Sequence, residues 1–180
     1  KVGAPQLVCL LVHEDKADTL RLQDFSSGKP VTVASVADLP AGSDYAVGNF
    51  RGSPLRDFIF YKPGENSLTF RPVEESAPGK FQFGKAESFD LGQPVRRVVS
   101  LNENGGKKLF IIFGQGEKAG VFDFDGAKAP VPGQTLTATN EFFTCAADVA
   151  GGLVVFSQPP SGKFSARYRV FKSDGGAYTP

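Results

Sequence analysis

The chain has 180 residues and a mass of 19.2 kDa, enough for one compact domain with a buried core. Its 20 basic and 19 acidic side chains give a net charge of +1 without a local basic block, which argues against nucleic-acid binding. The longest apolar runs have five or six residues, so we expect no membrane insertion, because a spanning helix needs about 20. The 21 Gly and 13 Pro punctuate short Phe-rich runs, a pattern typical of an all-β fold.

Four apolar runs begin at Leu7, Phe58, Leu109 and Leu153, at spacings of 51, 51 and 44 residues. Each run is followed by a polar turn and then by a segment that alternates with period two, as a strand does. The predicted strands of the first unit are 7–12, 19–25 and 31–36, and those of the second are 45–50, 58–61, 67–73 and 85–91. Those of the third are 96–101, 109–113, 120–125 and 135–139, and those of the fourth are 142–147, 153–156 and 165–171.

Short strands repeated in this way match the blades of a β-propeller. We predict a single all-β domain over residues 1–180, a β-propeller-type array of about four four-stranded blades, with a β-sandwich as the alternative. The approximate blades are 1–39, 40–92, 93–139 and 140–180. The first unit begins at its second strand and the last unit stops after its third. We therefore expect a domain that is incomplete at both ends and is part of a larger propeller.

The loop before the second apolar run reads Gly48-Asn49-Phe50-Arg51-Gly52-Ser53-Pro54-Leu55-Arg56-Asp57-Phe58. It resembles the loop of the FG-GAP/VCBS repeat, Gly-Asp-Phe-Asn-Gly-Asp-Gly-x-x-Asp-Leu. Looser copies lie at 3–7, 99–109 and 148–153. In that family the repeats build β-propellers, as in integrin α-subunit heads and many bacterial secreted or surface proteins. The resemblance thus implies a propeller in an extracytoplasmic or secreted protein.

Members of this family often bind Ca²⁺ in the loop through alternating Asp and Asn side chains, which suit a hard cation. The matching positions here are Asn49, Arg51, Ser53 and Asp57, so one carboxylate remains and a cation stands among them. We expect no cofactor and no metal; if calcium binds, its ligands are Asn49, Ser53 and Asp57. Arg51, or Lys108 in the third unit, is expected to replace the ion as an internal cation. The alternative is an ordinary turn whose polar residues satisfy backbone groups.

No catalytic constellation stands out in the sequence. His13 is the only histidine, which excludes a His-rich zinc site and leaves little for a Ser/His/Asp triad. Cys9 and Cys145 lie in apolar runs, which predicts buried thiols and leaves their pairing open. The glycine-rich segment 114–120 precedes an alternating strand, so we predict a hairpin turn there and not a phosphate-binding loop. A second turn is predicted at 123–126, which reads Asp-Phe-Asp-Gly.

Two functions from different classes remain. The first is a non-catalytic β-propeller module that binds a protein or a carbohydrate at the cell surface or outside the cell. The second is an accessory propeller portion of a larger extracytoplasmic enzyme whose catalytic residues lie outside this chain. Besides the ligand, the expected partners are further blades or another chain that completes the ring.

Overall fold

The structure is a computed structural model that describes residues 7–101, 107–149, 152–160, 166–174 and 177–179. Within these ranges the chain forms sixteen β-strands and no helix, which confirms the all-β prediction. Accordingly, no described segment is a helix of the length and hydropathy needed to cross a membrane. The predicted loop residues 3–6, 102–106 and 150–151 and the predicted strand position 165 lie outside the described residues.

The strands form four antiparallel sheets that follow one another along the chain. Sheet 1 contains β1 (Leu7–Val12), β2 (Ala17–Asp24) and β3 (Val31–Pro40). Sheet 2 contains β4 (Asp44–Gly48), β5 (Asp57–Tyr61), β6 (Ser67–Ala77), β7 (Lys80–Phe83) and β8 (Glu87–Asp90). Sheet 3 contains β9 (Val95–Leu101), β10 (Lys108–Phe113), β11 (Lys118–Asp123) and β12 (Val131–Thr137). Sheet 4 contains β13 (Phe142–Val149), β14 (Gly152–Gln158), β15 (Arg167–Asp174) and β16 (Ala177–Thr179). Each strand pairs with its neighbour in sequence within a sheet, except that β8 pairs with β6.

The apolar residues of β5 and β10, in the two middle sheets, are buried on both faces, which explains why their apolar runs do not alternate with polar residues. On β5, Phe58 and Phe60 enter a core shared with sheet 1, whereas Ile59 and Tyr61 enter a core shared with sheet 3. Alternate residues of β10 divide in the same way between sheets 2 and 4. Each large apolar side chain buried in these cores contributes about 1.5–3 kcal/mol. The four sheets therefore stack face to face in chain order, with β4 against β9 and β9 against β13.

The number of strands predicted for the last unit was wrong, because β16 adds a fourth strand that pairs with β15. The anchor of β16 is Tyr178, which is fully buried in the core between sheets 3 and 4. Gln134 of β12 fastens it further: its Nε2 donates to the Tyr178 carbonyl at 2.6 Å, and its Oε1 accepts from the Tyr178 N–H at 2.8 Å. A strand of three residues is too short to show a period-two pattern, and its stability depends on these distant contacts.

Sheet 2 also differs from its prediction, since it has five strands and not four. Strand β6 continues to Ala77 and returns through a turn at Gly79, whose φ of +73° favours glycine. The returning strand, β7, was not predicted, whereas β8 lies within the predicted strand 85–91.

Both turns predicted from glycine and aspartate are confirmed. Residues 114–117 join β10 to β11 as a hairpin. After β11, Asp125 Oδ1 accepts from the backbone N–H of Ala127 at 3.0 Å and of Lys128 at 3.3 Å. The Asp125 carboxylate thus stabilises the turn by hydrogen bonds to the backbone N–H groups that follow it, as Asp commonly does in loops.

Candidate functional site

The loop between β4 and β5 is closed by an internal ion pair. Asp57, the first residue of β5, is fully buried. Its Oδ1 accepts from Arg51 Nε at 2.9 Å and its Oδ2 accepts from the Arg51 backbone N–H at 3.1 Å. The same guanidinium donates through Nη2 to the Val73 carbonyl on β6 at 3.1 Å. Arg51 is therefore the internal cation that the sequence predicted, and it joins the loop to two strands of sheet 2.

The other two candidate calcium ligands lie in the same loop. Ser53 Oγ accepts from the Leu55 N–H at 3.1 Å, whereas Asn49 Oδ1 is buried without a hydrogen-bond partner among the described residues. A calcium ion at Asp57 would have to displace Arg51 and leave its guanidinium without a carboxylate, which is costly for a half-buried charge. Across the described ranges, no group of three or more His, Cys, Asp or Glu side chains is placed to hold a metal. The loop is built as an ion-paired turn.

A second buried carboxylate, Asp18 of β2, holds one turn of sheet 1 and the turn that leads from sheet 1 to sheet 2. Its Oδ2 accepts from the Ser43 N–H at 2.8 Å and lies 3.0 Å from His13 Nδ1, and its Oδ1 accepts from the Glu14 N–H at 3.2 Å. Burial by itself raises the pKa of Asp18, but these hydrogen bonds outweigh it and hold the pKa below its usual value. The His13 side chain is largely exposed, so the pair lies at the rim of the sheet and holds the turn in place.

The two cysteines are free and half-buried, and not fully buried as predicted. Cys9 lies at the edge of the core between sheets 1 and 2. Burial raises the pKa of its thiol, so at neutral pH Cys9 stays protonated and is a poor nucleophile.

A partly polar cleft lies between sheets 1 and 2 and has a volume of about 270 Å³. Alternation along β6 sends Leu68 and Phe70 into the core shared with sheet 3. Ser67, Thr69 and Arg71 therefore face sheet 1 and line the cleft. On the neighbouring strand, Ser88 Oγ lies 3.1 Å from Thr69 Oγ1, and residues 37–40 of β3 form the opposite wall.

Arg71 is the distinctive residue of this cleft. Its Nε is buried, and its side chain makes no hydrogen bond or ion pair with the residues that the structure describes. At the rim, Lys62 is already paired with Glu65 at 3.4 Å. A buried polar group without a partner costs about 1–3 kcal/mol, and native proteins fill such positions with water or ligand. The cleft thus presents a guanidinium without a direct partner beside hydroxyl groups, with the carboxylate of Asp38 among its other lining residues.

The sequence did not single out Arg71, although one signal was present. On β5 the residues that face sheet 1 are Phe58 and Phe60, whereas on β6 the same face reads Ser67, Thr69 and Arg71. This face is apolar on β5 and lies in the core, whereas on β6 it is polar. The core is therefore interrupted beside β6, and such an interruption can form a cleft. The interruption becomes visible only when the register of β5 and β6 is known.

Comparison of the chain with models of known protein families and with curated proteins found no match in either case. Its function is therefore inferred from the geometry of the fold and of the cleft.

Proposed function

We propose that this protein is a non-catalytic β-propeller-type binding module, and that its ligand is an acidic carbohydrate that binds in the cleft between sheets 1 and 2. The observation that carries the proposal is the side chain of Arg71, which is partly buried, charged and without a partner among the described residues. A guanidinium binds a carboxylate with two parallel hydrogen bonds. The ligand therefore carries a carboxylate that Arg71 pairs with.

The hydroxyl groups around Arg71 favour a sugar as the source of this carboxylate. Ser67, Thr69 and Ser88 each carry a hydroxyl group that can donate and accept. One donor is used between Thr69 and Ser88, and the remaining positions suit a ligand whose own hydroxyls stand next to its acidic group. Arg71 and the three hydroxyl residues lie on strands β6 and β8, so these polar groups are held in place before the ligand arrives. An acidic segment of a protein is the competing ligand.

The propeller-type architecture rests on two independent arguments. The loop from Gly48 to Phe58 resembles the FG-GAP/VCBS repeat, and the sheets stack in chain order with their first strands β4, β9 and β13 in succession. Both fit blades arranged about an axis. An extracytoplasmic or secreted location follows from the same resemblance and suits a module that binds carbohydrate.

The test is a binding titration with three probes of defined chemistry. We expect a uronic-acid oligosaccharide to bind, and the same oligosaccharide with its carboxylates reduced to alcohols to bind at least about tenfold more weakly, since a charged hydrogen-bonded pair is lost. An oligo-glutamate peptide is the third probe. Binding of the peptide in preference to both sugars would replace carbohydrate by protein as the ligand.

Variants of the cleft locate the binding. Arg71→Ala is expected to abolish the preference for the acidic sugar, and Arg71→Lys to restore it only in part because it lacks the planar fork. Arg167→Ala, which removes an exposed arginine of sheet 4, is the matched control and is expected to bind like the wild type. Equal binding by Arg71→Ala and the wild type, or no binding of any probe, would contradict the proposal.

A further inference from the structure

The cleft between sheets 1 and 2 contains a negative charge as well as the positive charge of Arg71. Four charged residues line it, namely Asp38, Lys62, Glu65 and Arg71. Lys62 and Glu65 pair with each other. The side chains of Asp38 and Arg71 make no hydrogen bond or ion pair with any described residue, and they do not pair with each other. The cleft therefore presents one anion and one cation on opposite walls, each without a partner among the described residues.

A β-bulge keeps Asp38 out of the core. On β3, Ala34 and Val36 lie in the core shared with sheet 2, so strict alternation would bury residue 38 in the same core. Instead β3 has one extra residue relative to β2 between Val36 and Leu39. Leu39 then enters the core, and Asp38 is exposed at the cleft. Bulges commonly redirect a side chain in this way beside functional sites.

The wall that carries Asp38 is held in a defined conformation. Asp38 has a φ of +62°, which Asp tolerates better than most residues but which glycine adopts with less strain. At the end of this wall, Ser43 Oγ donates to the Pro40 carbonyl at 2.6 Å, and the Ser43 N–H donates to Asp18. Non-glycine residues with a strained backbone are concentrated at ligand-binding sites. The position of the Asp38 carboxylate is therefore consistent with binding a ligand in the cleft.

We propose that the acidic sugar bound in this cleft also carries a free amino group, so that its carboxylate pairs with Arg71 and its ammonium group pairs with Asp38. The inference rests on the proposed function, because it concerns the same cleft. A ligand with a carboxylate alone would bring its negative charge close to that of Asp38 in a cleft of about 270 Å³, and the two charges would repel each other. An ammonium group on the same sugar offsets this repulsion and adds a charge-assisted hydrogen bond. The ligand class is therefore a zwitterionic amino sugar acid.

Calorimetric titration with three monosaccharides of matched size tests the proposal. Glucosaminuronic acid carries both charges, glucuronic acid has a hydroxyl group in place of the amine, and glucosamine has an alcohol in place of the carboxylate. We expect glucosaminuronic acid to bind at least about tenfold more tightly than glucuronic acid, since it gains a charged hydrogen-bonded pair. Glucosamine is expected to bind more weakly than glucosaminuronic acid, because it leaves Arg71 without a partner.

Asp38→Asn tests which residue binds the amino group. Asparagine has the same size and tolerates the left-handed backbone, and circular dichroism establishes that the variant is folded. It is expected to lose the preference for glucosaminuronic acid and to bind glucuronic acid at least as tightly as the wild type does, because a like charge is removed. Asp174→Asn, which removes an exposed carboxylate of β15 in sheet 4, is the matched control and is expected to bind all three sugars like the wild type.

Failure of this inference and failure of the proposed function give different results. If the wild type binds glucosaminuronic acid and glucuronic acid equally, and both depend on Arg71, the amino group is overturned while the acidic sugar stands. A preference for glucosaminuronic acid that persists in Asp38→Asn would show that another residue binds the amino group, which also overturns the inference. If neither acid binds, or if Arg71→Ala binds both like the wild type, the proposed function fails and the inference fails with it.

Discussion

At the scale of single residues, two buried carboxylates on strands accept hydrogen bonds from neighbouring turns and so hold these turns in place. Asp18 accepts three hydrogen bonds from one turn at His13 and Glu14 and from another at Ser43. Asp57 does the same for its loop through Arg51. Each carboxylate replaces backbone pairing that irregular segments lack.

The pH dependence of stability is expected to reveal the contribution of ionised Asp18 to the free energy of unfolding. Its pKa in the folded state is lowered from 3.8, so the folded protein binds a proton less readily than the unfolded chain does. The stabilisation is therefore present above the unfolded-state pKa and is lost as the pH falls through the folded-state pKa. We expect Asp18→Asn to lower the free energy of unfolding at pH 7 by about 1–3 kcal/mol. We also expect it to flatten the acid limb of stability against pH in denaturant titrations.

Asp15→Asn is the control for the loss of one negative charge. Asp15 belongs to the same turn and is exposed, so its variant tests whether charge alone accounts for the effect. Parallel acid limbs in the wild type and Asp18→Asn would show that the three hydrogen bonds do not depend on ionisation of Asp18.

At the scale of elements, turns between strands also join one sheet to the next. Gly116, in the hairpin between β10 and β11, accepts through its carbonyl from the Phe143 N–H of β13 at 2.7 Å. Its φ is +106°, and a Cβ there would lie 2.3 Å from the Phe143 carbonyl oxygen. The close approach of two backbones requires glycine at this position. The hairpin of sheet 3 thereby fixes the start of sheet 4.

Gly116→Ala is therefore expected to destabilise the protein by more than backbone strain alone. Gly28→Ala is the matched control: Gly28 also has a positive φ, of +79°, but a Cβ there meets nothing within 4 Å. Both variants carry the strain of the left-handed region, about 1–2 kcal/mol. The overlap with β13 adds about 1–3 kcal/mol to Gly116→Ala alone. Equal losses in chemical denaturation would show that the backbone of β13 moves aside freely.

The sequence predicts the elements well where burial is strong on both faces. The runs at Phe58 and Leu109 became β5 and β10, each with alternate residues in two cores. It predicts poorly those elements whose stability comes from distant partners. Strand β16 depends on Gln134, which is 44 residues away along the chain. The cleft at Arg71 likewise depends on the register of β6 against β5 and on the position of β3.

At the scale of the whole molecule, the three cores are arranged in series, and this order has energetic consequences. Sheets 2 and 3 each take part in two cores, whereas sheets 1 and 4 each take part in one. In a stack of this kind, stability is approximately a sum of contributions from each unit and from its contacts with neighbours. The end sheets therefore have fewer stabilising contacts than the middle sheets, even though the four contain similar numbers of strands.

Hydrogen exchange measured by mass spectrometry is expected to show this gradient. We expect amides of β5 and β10 to exchange slowest and those of β1 and β15 to exchange faster. Local opening of an end sheet breaks one core, whereas opening a middle sheet breaks two, and exchange follows the free energy of the least costly opening. Uniform protection across all four sheets would contradict this, because it would mean that they open only together.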